Sequence, residues 1–404
     1  MKIGILDIGT DKISCFIVNI NKNKPIILGI GHHKSQGILS GTITDMEAAC
    51  NSIRNSIQSA EKMFGDTVEE FVVNISSNTI KSHSINLITN LGGNEVTNED
   101  INNNFKKIDS LCGKDNQLLH KIVTSYSIDN SIGIEKPIGM KGEQLIAGFN
   151  VITIEKNILN NFLKCLSMSK VIVNDIVATP YAAGLGCLNN DDLYIGTTLI
   201  DIGAGCTSIA TFHKNKLIFA NVINIGGFHI SSDIARGLST SIYTAERLKI
   251  LHGSEINPND SDNLIDIPLT GDNENNYTHK IKKKELDIII SSRVQEILEN
   301  VRQKTDKSIF EKKITNNIVL TGKTAELKGF SKLTSDFFGV KVRIGKPEKI
   351  EGLSESSSGP GSSVCCGLIK YKILENIKNS NNNFEFKNNL IFRKFGSWLK
   401  ESFF

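Results

Sequence analysis

The sequence predicts an α/β protein with two similar lobes that face each other across a cleft. The first observation is the segment Leu199–Ile209, an apolar strand that reaches Asp201, turns on small residues and continues into a strand with hydroxyl side chains. The second observation is that the segment Ile3–Ile13 repeats this pattern, with Asp7 at the matching place. The third is that further strands and a helix follow each copy. A repeated strand-hairpin-strand-strand-helix unit favours two related lobes with opposed hairpins.

Both hairpins contain the residue types that bind phosphate groups. Glycines let the backbone approach an anion closely and direct N–H groups at it. An aspartate at the strand end can hold the magnesium ion that accompanies nucleotide phosphates, so Asp7 and Asp201 are the candidate metal ligands. A Gly-x-Gly hairpin also serves as an ordinary tight turn, but its duplication favours a phosphate site. The candidate nucleotide contacts in the hairpins are Asp7, Gly9, Thr10, Asp11, Lys12, Asp201, Gly203, Ala204, Gly205, Cys206 and Thr207.

These two motifs, together with Val319-Leu320-Thr321-Gly322, resemble the actin-type ATPase superfamily and, within it, the FtsA family of bacterial cell-division proteins. The resemblance covers nearly the whole chain. It implies a two-lobed actin-like ATPase fold whose hairpins bind the β and γ phosphates of ATP or ADP from two sides, with Mg²⁺. It also implies self-association into filaments and a role in tethering FtsZ to the membrane.

The first lobe is predicted from residues 1–81 and 156–190. Thr44 and Glu47 form a predicted capping box, and the helix behind it has one apolar face that should cover the sheet. That face consists of Met46, Ala49, Cys50, Ile53, Ile57, Ala60 and Phe64. The other predicted elements are strands Ile13–Ile20, Pro25–Gly31, Glu70–Ile75 and Val171–Ile176 and the helix Ile158–Ser169.

Residues 82–155 interrupt the repeat and are predicted to form an inserted α/β subdomain. A helix is capped by Thr97, with Asp100 three residues later. The segment Gly133–Met140 resembles the one that the FtsA family carries here, which implies contacts with other division proteins. An insert that only stiffens the lobe is the alternative, but exposed strand edges favour contacts. The predicted strands are Ile85–Thr89, His120–Ile128 and Leu145–Ile154, with a turn at Gly92-Gly93.

The segment Val177–Gly186 occupies the place of the superfamily's crossing helix between lobes. Related ATPases have a glutamate before the proline of this helix, where it orients the attacking water. Thr179 stands in its place here, and a threonine cannot act as a carboxylate base. The sequence therefore predicts nucleotide binding with at most weak ATP hydrolysis, and no residue is assigned a catalytic role.

The second lobe is predicted from residues 191–226 and 309–374, with an outer subdomain at 227–308. By resemblance, the outer subdomain binds the C-terminal tail of FtsZ. The polar stretch Asn257–Asn276 reads as a surface excursion that includes strand-like Leu264–Ile267. The other predicted elements are strands Thr207–Phe212 and Leu217–Ile223, helices His229–Leu238, Tyr243–Gly253 and Lys282–Lys304, and a second crossing helix at Gly359–Ile369.

Three further segments of the second lobe resemble the family's nucleotide contacts. They supply Gly226, Gly227, Glu246, Lys249, Gly322, Lys323 and Thr324. The alternative for Glu246, Arg247 and Lys249 is an ordinary solvated helix face, and we expect this interpretation to hold for at least two of the three. The family usually has Thr-Gly-Gly-Gly-Ala where this chain has Thr321 to Ala325. Lys323 and Thr324 add bulk and restrict the backbone, although Lys323 could reach a phosphate.

The C-terminal region has two parts of different character. Residues 375–389 are rich in Asn and Lys and are predicted to form a flexible linker. Residues 390–404 are predicted to form an amphipathic helix that lies in the interface of an anionic membrane, as in the family's membrane-targeting sequence. Docking of this helix on the protein's own body is the alternative. The predicted lipid contacts are Ile391, Phe392, Phe395, Trp398, Leu399 and Phe403, with Arg393, Lys394 and Lys400 as flanking cations.

Composition and charge indicate the class of partner and the cellular location of the protein. The chain has 404 residues and a net charge of +3 with interspersed charges, which gives no indication of nucleic-acid binding. Met1-Lys2 leads directly into a strand, so no signal peptide is expected, and no apolar run approaches the roughly 20 residues that span a bilayer. The eight scattered cysteines indicate reduced thiols. We therefore expect a cytoplasmic protein, peripheral on the inner membrane face at the division site.

Two other functions are less consistent with the sequence. A small-molecule kinase of the same superfamily would need an acidic base for its acceptor, and the sequence offers no acidic motif beyond Asp7, Asp11 and Asp201. A pilus-assembly or rod-shape scaffold is the other rival. The position of the insert at 82–155 distinguishes the FtsA family from the rod-shape type, which carries its small subdomain elsewhere.

Overall fold

The computed structural model describes residues 1–111, 113–253, 263–268, 278–305 and 317–381. It has the predicted two-lobed α/β fold of the actin type. The first sheet has strand order β11-β6-β1-β2-β3, in which β1 and β2 form an antiparallel hairpin while β6 and β11 run parallel to β1. Its strands are β1 Lys2–Ile8, β2 Lys12–Asn21, β3 Lys24–Lys34, β6 Glu70–Ile75 and β11 Ile172–Ala178. The short pair β4 Ile38–Leu39 and β5 Thr42–Ile43 lies beyond β3.

The second sheet confirms the duplication. Its strand order is β14-β13-β12-β17-β18, which has the topology of the first sheet when β12 is matched with β1 and β17 with β6. The β12–β13 pair is antiparallel and places Asp201 opposite Ser208, as Asp7 lies opposite Ser14 in the first sheet. The strands are β12 Thr197–Ile202, β13 Thr207–His213, β14 Lys216–Ile223, β17 Asn317–Thr321 and β18 Lys341–Ile344.

Helix α1, Met46–Phe64, covers the first sheet with the predicted apolar face. Its N-cap is Asp45, so the predicted capping box at Thr44 is wrong. The Thr44 N–H donates to the Gly37 carbonyl, whereas Asp45 has an extended backbone and its carboxylate accepts from the Ala48 N–H at 3.1 Å. An aspartate at this position also interacts favourably with the positive end of the helix. Helix α3, Lys156–Met168, packs beside α1.

The insert is a separate four-stranded sheet of order β7-β10-β8-β9 with a helix on one face. Its elements are β7 Lys81–Asn90, α2 Asn98–Leu111, β8 Asn116–Ile128, β9 Ser131–Ile134 and β10 Gln144–Glu155. The predicted cap is present, since the Asp100 N–H donates to Thr97 Oγ1 and the Thr97 N–H donates to Asp100 Oδ2. Small apolar clusters between α2 and the sheet give the insert a core of its own.

Helices α4, Thr179–Cys187, and α10, Ser363–Asn381, cross between the two sheets. They touch backbone to backbone at glycines: a Cβ added to Gly186 would lie 1.8 Å from the Ser363 carbonyl oxygen, and one added to Gly367 would lie 1.7 Å from that of Ala182. Only glycine permits such an approach. The two helices are therefore the tightly packed junction of the lobes. A short α5, Asn190–Ile195, follows α4.

One predicted boundary near the C-terminus differs from the structure. Helix α10 continues to Asn381, so the first residues of the predicted linker 375–389 are helical. An ion pair between Lys372 and Glu375, one turn apart, stabilises this extension. Leu368 and Ile369 are buried in an apolar cluster that includes residues of both sheets. The predicted membrane helix, 390–404, lies outside the described residues, and none of the described helices is both long and apolar enough to cross a bilayer.

The outer subdomain consists of helices packed beside a two-stranded sheet. Its elements are α6 Gly227–Gly237, α7 Ile242–His252, β15 Leu264–Pro268, β16 Thr278–Lys282 and α8 Lys283–Lys304. Of the predicted stripe of α8, Val294, Ile297 and Val301 are buried, but Ile290 takes the place of Ile289, which is only partly buried. Helix α9, Phe330–Phe338, follows β17. Most of the predicted surface excursion, 257–276, lies outside the described residues.

Candidate nucleotide site

The first hairpin joins β1 to β2 and is closed by one backbone hydrogen bond, from the Gly9 N–H to the Lys12 carbonyl at 3.1 Å. A Cβ on Gly9 would lie 2.8 Å from the same carbonyl oxygen, which is why the turn requires glycine. Within the described part of the chain, the N–H groups of Thr10 and Asp11 donate no hydrogen bond. The tip of the hairpin thus has two backbone donors available for an anion.

The second hairpin has the same construction. The Gly203 N–H donates to the Cys206 carbonyl at 3.0 Å, and the N–H groups of Ala204 and Gly205 have no acceptor among the described residues. Thr207 begins the outgoing strand and its hydroxyl donates to the Ile225 carbonyl at 2.7 Å. Cys206 is buried. The available donors of this hairpin are therefore backbone groups, since the Thr207 side chain is already used within the fold.

The two hairpins meet across the cleft. A Cβ added to Gly205 would lie 2.5 Å from Thr10 Oγ1 and 2.9 Å from Thr10 Cβ. The duplicated motifs that sequence analysis paired are therefore in direct contact. Four N–H groups that have no acceptor among the described residues, two from each lobe, therefore lie at the two hairpin tips that meet here.

The carboxyl groups at the two strand ends, Asp7 and Asp201, both have a pKa above the ordinary value of an aspartate. Burial raises the pKa of Asp7 to about 6, although Lys12 and a hydrogen bond from Asn74 act in the opposite direction. Burial and the neighbouring Asp7 raise the pKa of Asp201 to about 7. Two facing carboxylates that repel each other are a suitable environment for a divalent cation.

The donor set fits magnesium bound together with a phosphate. The described residues contain no group of three or more His, Cys, Asp or Glu side chains that could enclose a metal ion. Mg²⁺ usually keeps several waters and takes one or two carboxylates plus phosphate oxygens. Asp7 and Asp201 would supply that protein share, and the remaining ligands would come from the nucleotide and from water.

Asn74, at the end of β6, was not predicted as a site residue. Its Nδ2 donates to Asp7 Oδ1 at 2.8 Å and to Thr179 Oγ1 at 3.1 Å, and its Oδ1 accepts from the Ile8 N–H at 2.7 Å. The amide fixes the Asp7 carboxylate. No motif in the sequence marks Asn74, because its role depends on the parallel pairing of β6 with β1.

Thr179 is buried, and its hydroxyl donates to the Ile75 carbonyl at 2.8 Å while it accepts from Asn74. The hydroxyl proton of Thr179 is thus already used in a hydrogen bond to the backbone. Together with the absence of a carboxylate at this position, this geometry gives Thr179 no means of accepting a proton from water.

The glycine turn at Gly226 and Gly227 lies against the second hairpin. The Gly227 N–H donates to the Gly203 carbonyl at 2.9 Å, and the Phe228 N–H donates to that of Ala204 at 2.8 Å. The N-terminus of α6 therefore stabilises the hairpin backbone. Gly226 is required for this contact, because a Cβ there would lie 2.6 Å from both hairpin carbonyl oxygens.

Lys249 does not face solvent. It is 6% exposed, and its ammonium group donates to the Gly227 carbonyl at 3.1 Å, to Ser231 Oγ at 2.8 Å and to Glu246 Oε2 at 2.6 Å. Burial lowers the pKa of Lys249. Burial alone would raise the pKa of Glu246, but hydrogen bonds from Lys249 and Ser231 hold it below its ordinary value. Arg247 is exposed.

The turn after β17 accommodates Lys323 and Thr324, which stand where the family usually has two glycines. Only Gly322 has a left-handed backbone, with φ of 84°, and residues Lys323–Glu326 form a short 3₁₀ helix. Thr324 is buried, and its hydroxyl donates to the Gly203 carbonyl at 3.2 Å. It also fills the space beside Gly227, where a Cβ would lie 2.2 Å from Thr324 Oγ1. Lys323 is exposed. The substitutions therefore narrow this side of the cleft without straining the backbone.

Two lobes of repeated topology with opposed glycine hairpins define a protein of the actin-like ATPase fold. Solved structures share that fold: the "PilM-PilN type IV pilus biogenesis complex" aligns with a TM-score of 0.63 at 15% identity, covering 91% of this chain and 97% of that one. An MreB structure, "MreB5 of Spiroplasma citri bound to ADP", aligns with a TM-score of 0.55 at 18% identity, covering 95% and 99%.

Sequence comparison identifies the family. A family model described as "Cell division protein FtsA" matches residues 198–367, and one described as "SHS2 domain inserted in FTSA" matches residues 77–153. The FtsA of Agrobacterium fabrum is 35% identical, covering 99% of this chain and 95% of that protein. The FtsA of Neisseria meningitidis serogroup B is 31% identical, covering 91% and 89%. The chain belongs to the FtsA family of cell-division proteins.

Proposed function

We propose that this protein binds ATP with Mg²⁺ between its two hairpins, self-associates, and tethers FtsZ filaments to the cytoplasmic face of the inner membrane. The observation that carries the nucleotide part is the contact of Thr10 with Gly205, which brings together the two hairpins that follow Asp7 and Asp201. Four backbone N–H groups of these hairpins have no acceptor in the part of the chain that the structure describes. Free N–H groups bind phosphate oxygens, and the paired carboxylates accept a divalent cation. ADP is held in an MreB neighbour of the same fold.

Each candidate residue has a role in this proposal. Asp7 and Asp201 hold Mg²⁺, and the two hairpin tips bind the phosphates with Lys12 as a nearby cation. The cluster of Glu246, Lys249 and Ser231 lies at the start of α6, where it borders the nucleoside side of the cleft. Gly322, Lys323 and Thr324 form the adjoining border, where Thr324 packs against Gly227. Hydrolysis is slow or absent, since Thr179 is the residue in the water-orienting position.

The partner roles follow from the family and from the chemistry of each part. The outer subdomain binds the FtsZ C-terminal tail, and the insert contacts other division proteins. The segment 390–404 binds anionic lipid through its apolar face. The small-molecule kinase remains the weaker alternative. Glu246, the acidic side chain that borders the cleft outside the hairpins, accepts hydrogen bonds from Lys249 and Ser231 and is therefore not available as a base for an acceptor.

Calorimetric titration with ATP, with and without Mg²⁺, tests the nucleotide site. We expect binding that requires Mg²⁺ and is lost in Asp201→Asn. Asp336→Asn, which removes an exposed carboxylate on α9, is the matched control and should bind as wild type does. Equal ATP affinity in both variants would refute the site.

Co-sedimentation with vesicles tests the tether. FtsZ alone should stay in the supernatant, and it should pellet with phosphatidylglycerol vesicles when this protein is added. Recruitment of FtsZ that does not depend on this protein, or none in its presence, would contradict the tethering role.

A further inference from the structure

The insert packs on the first lobe through apolar residues such as Leu119, Ile152 and Ile154, and one buried polar side chain adds a specific hydrogen bond to this contact. His120 on β8 is 7% exposed, and its Nε2 accepts a hydrogen bond from the Ala178 N–H at 3.0 Å. The imidazole ring also stands edge-on to Tyr181 on α4, at 5.3 Å between ring centroids, and to Tyr371 on α10, at 6.0 Å. His120 therefore contacts the start of one crossing helix and the side of the other.

The Ala178 N–H needs an acceptor from outside its own sheet. Strand β11 is at the edge of the first sheet, and Ala178 is its last residue and also the N-cap of α4. A buried backbone N–H without a partner is costly. The imidazole of the insert meets this requirement, which makes the contact specific.

A second buried side chain attaches the insert to the other lobe. Asn150 on β10 is 1% exposed, and its Nδ2 donates to the Leu217 carbonyl at 2.9 Å while its Oδ1 accepts from Ser82 Oγ at 2.5 Å. Leu217 lies on β14, the edge strand of the second sheet. Strands β7, β8 and β10 all pack against β14.

The two attachments belong to one rigid unit. His120 lies opposite Ile152 in the β8–β10 ladder, and Asn150 lies opposite Ile122, so the two side chains sit two positions apart on paired strands. We propose that the insert, residues 82–155, is a strap that joins the two lobes through His120 and Asn150 and restrains their relative rotation about α4 and α10.

The strap has a mechanical consequence for the cleft. A rotation of one lobe against the other must either carry the insert along or break one of two buried hydrogen bonds. Breaking either bond leaves a buried polar group unpaired. Ala178 directly precedes Thr179, which is linked through Asn74 to Asp7. Opening of the cleft is therefore coupled to the position of the insert, and by reciprocity a partner bound to the insert alters the opening.

Hydrogen exchange followed by mass spectrometry tests the strap without any nucleotide. The variants are Asn150→Leu, which keeps the side-chain size, and His120→Phe, which keeps the ring. Each should accelerate exchange at the distant attachment: Asn150→Leu in the peptide that contains Ala178, and His120→Phe in β14, by about tenfold or more. Thr89→Val is the matched control, because it removes a hydrogen bond within the insert, to Asn104, and should change neither peptide.

The outcomes separate the strap from general destabilisation. Exchange in α1 serves as an internal reference and should be unchanged in every variant. Acceleration confined to the mutated side, or equal acceleration throughout the chain, would overturn the proposal. If Asn150→Leu does not fold, Asn150→Ser and His120→Phe still provide the reciprocal comparison.

A second readout rests on the proposed function. Release of a fluorescent ATP analogue should be at least fivefold faster in both strap variants than in wild type, since the lobes open more often. An unchanged release rate combined with reciprocal exchange effects would refute the link to the nucleotide but not the strap. If wild type binds no nucleotide, the proposed function fails and the exchange experiment alone decides on the strap.

Discussion

Thr10 Oγ1 lies against the Cα of Gly205, so the two phosphate-type hairpins touch across the cleft with no room for a Cβ between them. The φ of Gly205 is not in the left-handed region, so the requirement for glycine comes from this contact and not from backbone strain. This close contact thus limits how near the two hairpins can approach each other.

Gly205→Val should lower ATP affinity at least tenfold and reduce stability, because its side chain would collide with Thr10 and force the hairpins apart. The double variant with Thr10→Gly removes the colliding atoms and should recover stability, since the two residues are coupled. Thermal unfolding and calorimetry measure both quantities. Additive losses in the double variant would show that the collision is not the cause.

Asp201→Asn should stabilise the fold at pH 8 while it abolishes Mg²⁺-dependent binding. The folded pKa of Asp201 is about 7, above the roughly 3.9 of an unfolded aspartate. The carboxyl group therefore favours folding when it is protonated, below about pH 4, and this stability is lost as the pH rises through about 7. At pH 8 the ionised Asp201 costs the native state a few kcal/mol, at about 1.4 kcal/mol per pKa unit.

Urea unfolding at pH 8 and pH 5 measures this effect. The advantage of Asp201→Asn over wild type should shrink as the pH falls. Asp336→Asn, at an exposed site, should show no such trend. A variant less stable than wild type at pH 8 would contradict the electrostatic account and would mean that Asp201 is stabilised by contacts.

The sequence was sufficient to predict the lobes and the hairpins because repetition is visible in the order of residues. Asp7 and Asp201 could be paired before any geometry was known. Asn74 could not be found from the sequence, because its contact with Asp7 depends on the pairing of β6 with β1. These strands are far apart in the chain: Asn74 and Ile8, which are joined by a hydrogen bond, are 66 positions apart. Lys249 was a candidate, but its burial depends on how α7 packs against α6, which charge patterns on one helix do not reveal.

Other misses have local causes. The N-cap of α1 is Asp45 and not the predicted Thr44, because the Thr44 N–H donates to the Gly37 carbonyl in the preceding turn and is not available for a capping box. The end of α10 was misplaced because asparagine-rich composition predicts disorder, whereas Lys372 is anchored by Asp175 and Glu375. Composition describes solvated chains well, but it does not register a buried ion pair.

Wild-type ATP hydrolysis should be far below the roughly 10 per second of an ordinary enzyme, and Thr179→Glu should raise it. The glutamate would supply the missing carboxylate beside Asn74, although it must displace the hydrogen bond to the Ile75 carbonyl. Thr179→Gln is the matched control, with the same size and no ionisable group. Phosphate release under single-turnover conditions measures the rate. Equal rates in the two variants would mean that residue 179 does not orient the water.

The segment 390–404 lies outside the described residues, and its sequence predicts a membrane-binding amphipathic helix. Burial of aromatic side chains in the membrane interface contributes about 1.5–3 kcal/mol each, and each nearby cation adds about 1 kcal/mol on anionic lipid. Trp398→Glu should therefore abolish binding to phosphatidylglycerol vesicles. Lys400→Ala should weaken it less, and mainly at low salt, because salt screens that interaction. Co-sedimentation of both variants and of a chain that ends at Asn389 measures the effect. If the truncated chain pellets as well as the intact one, the segment is not the anchor, and its apolar face packs on protein instead.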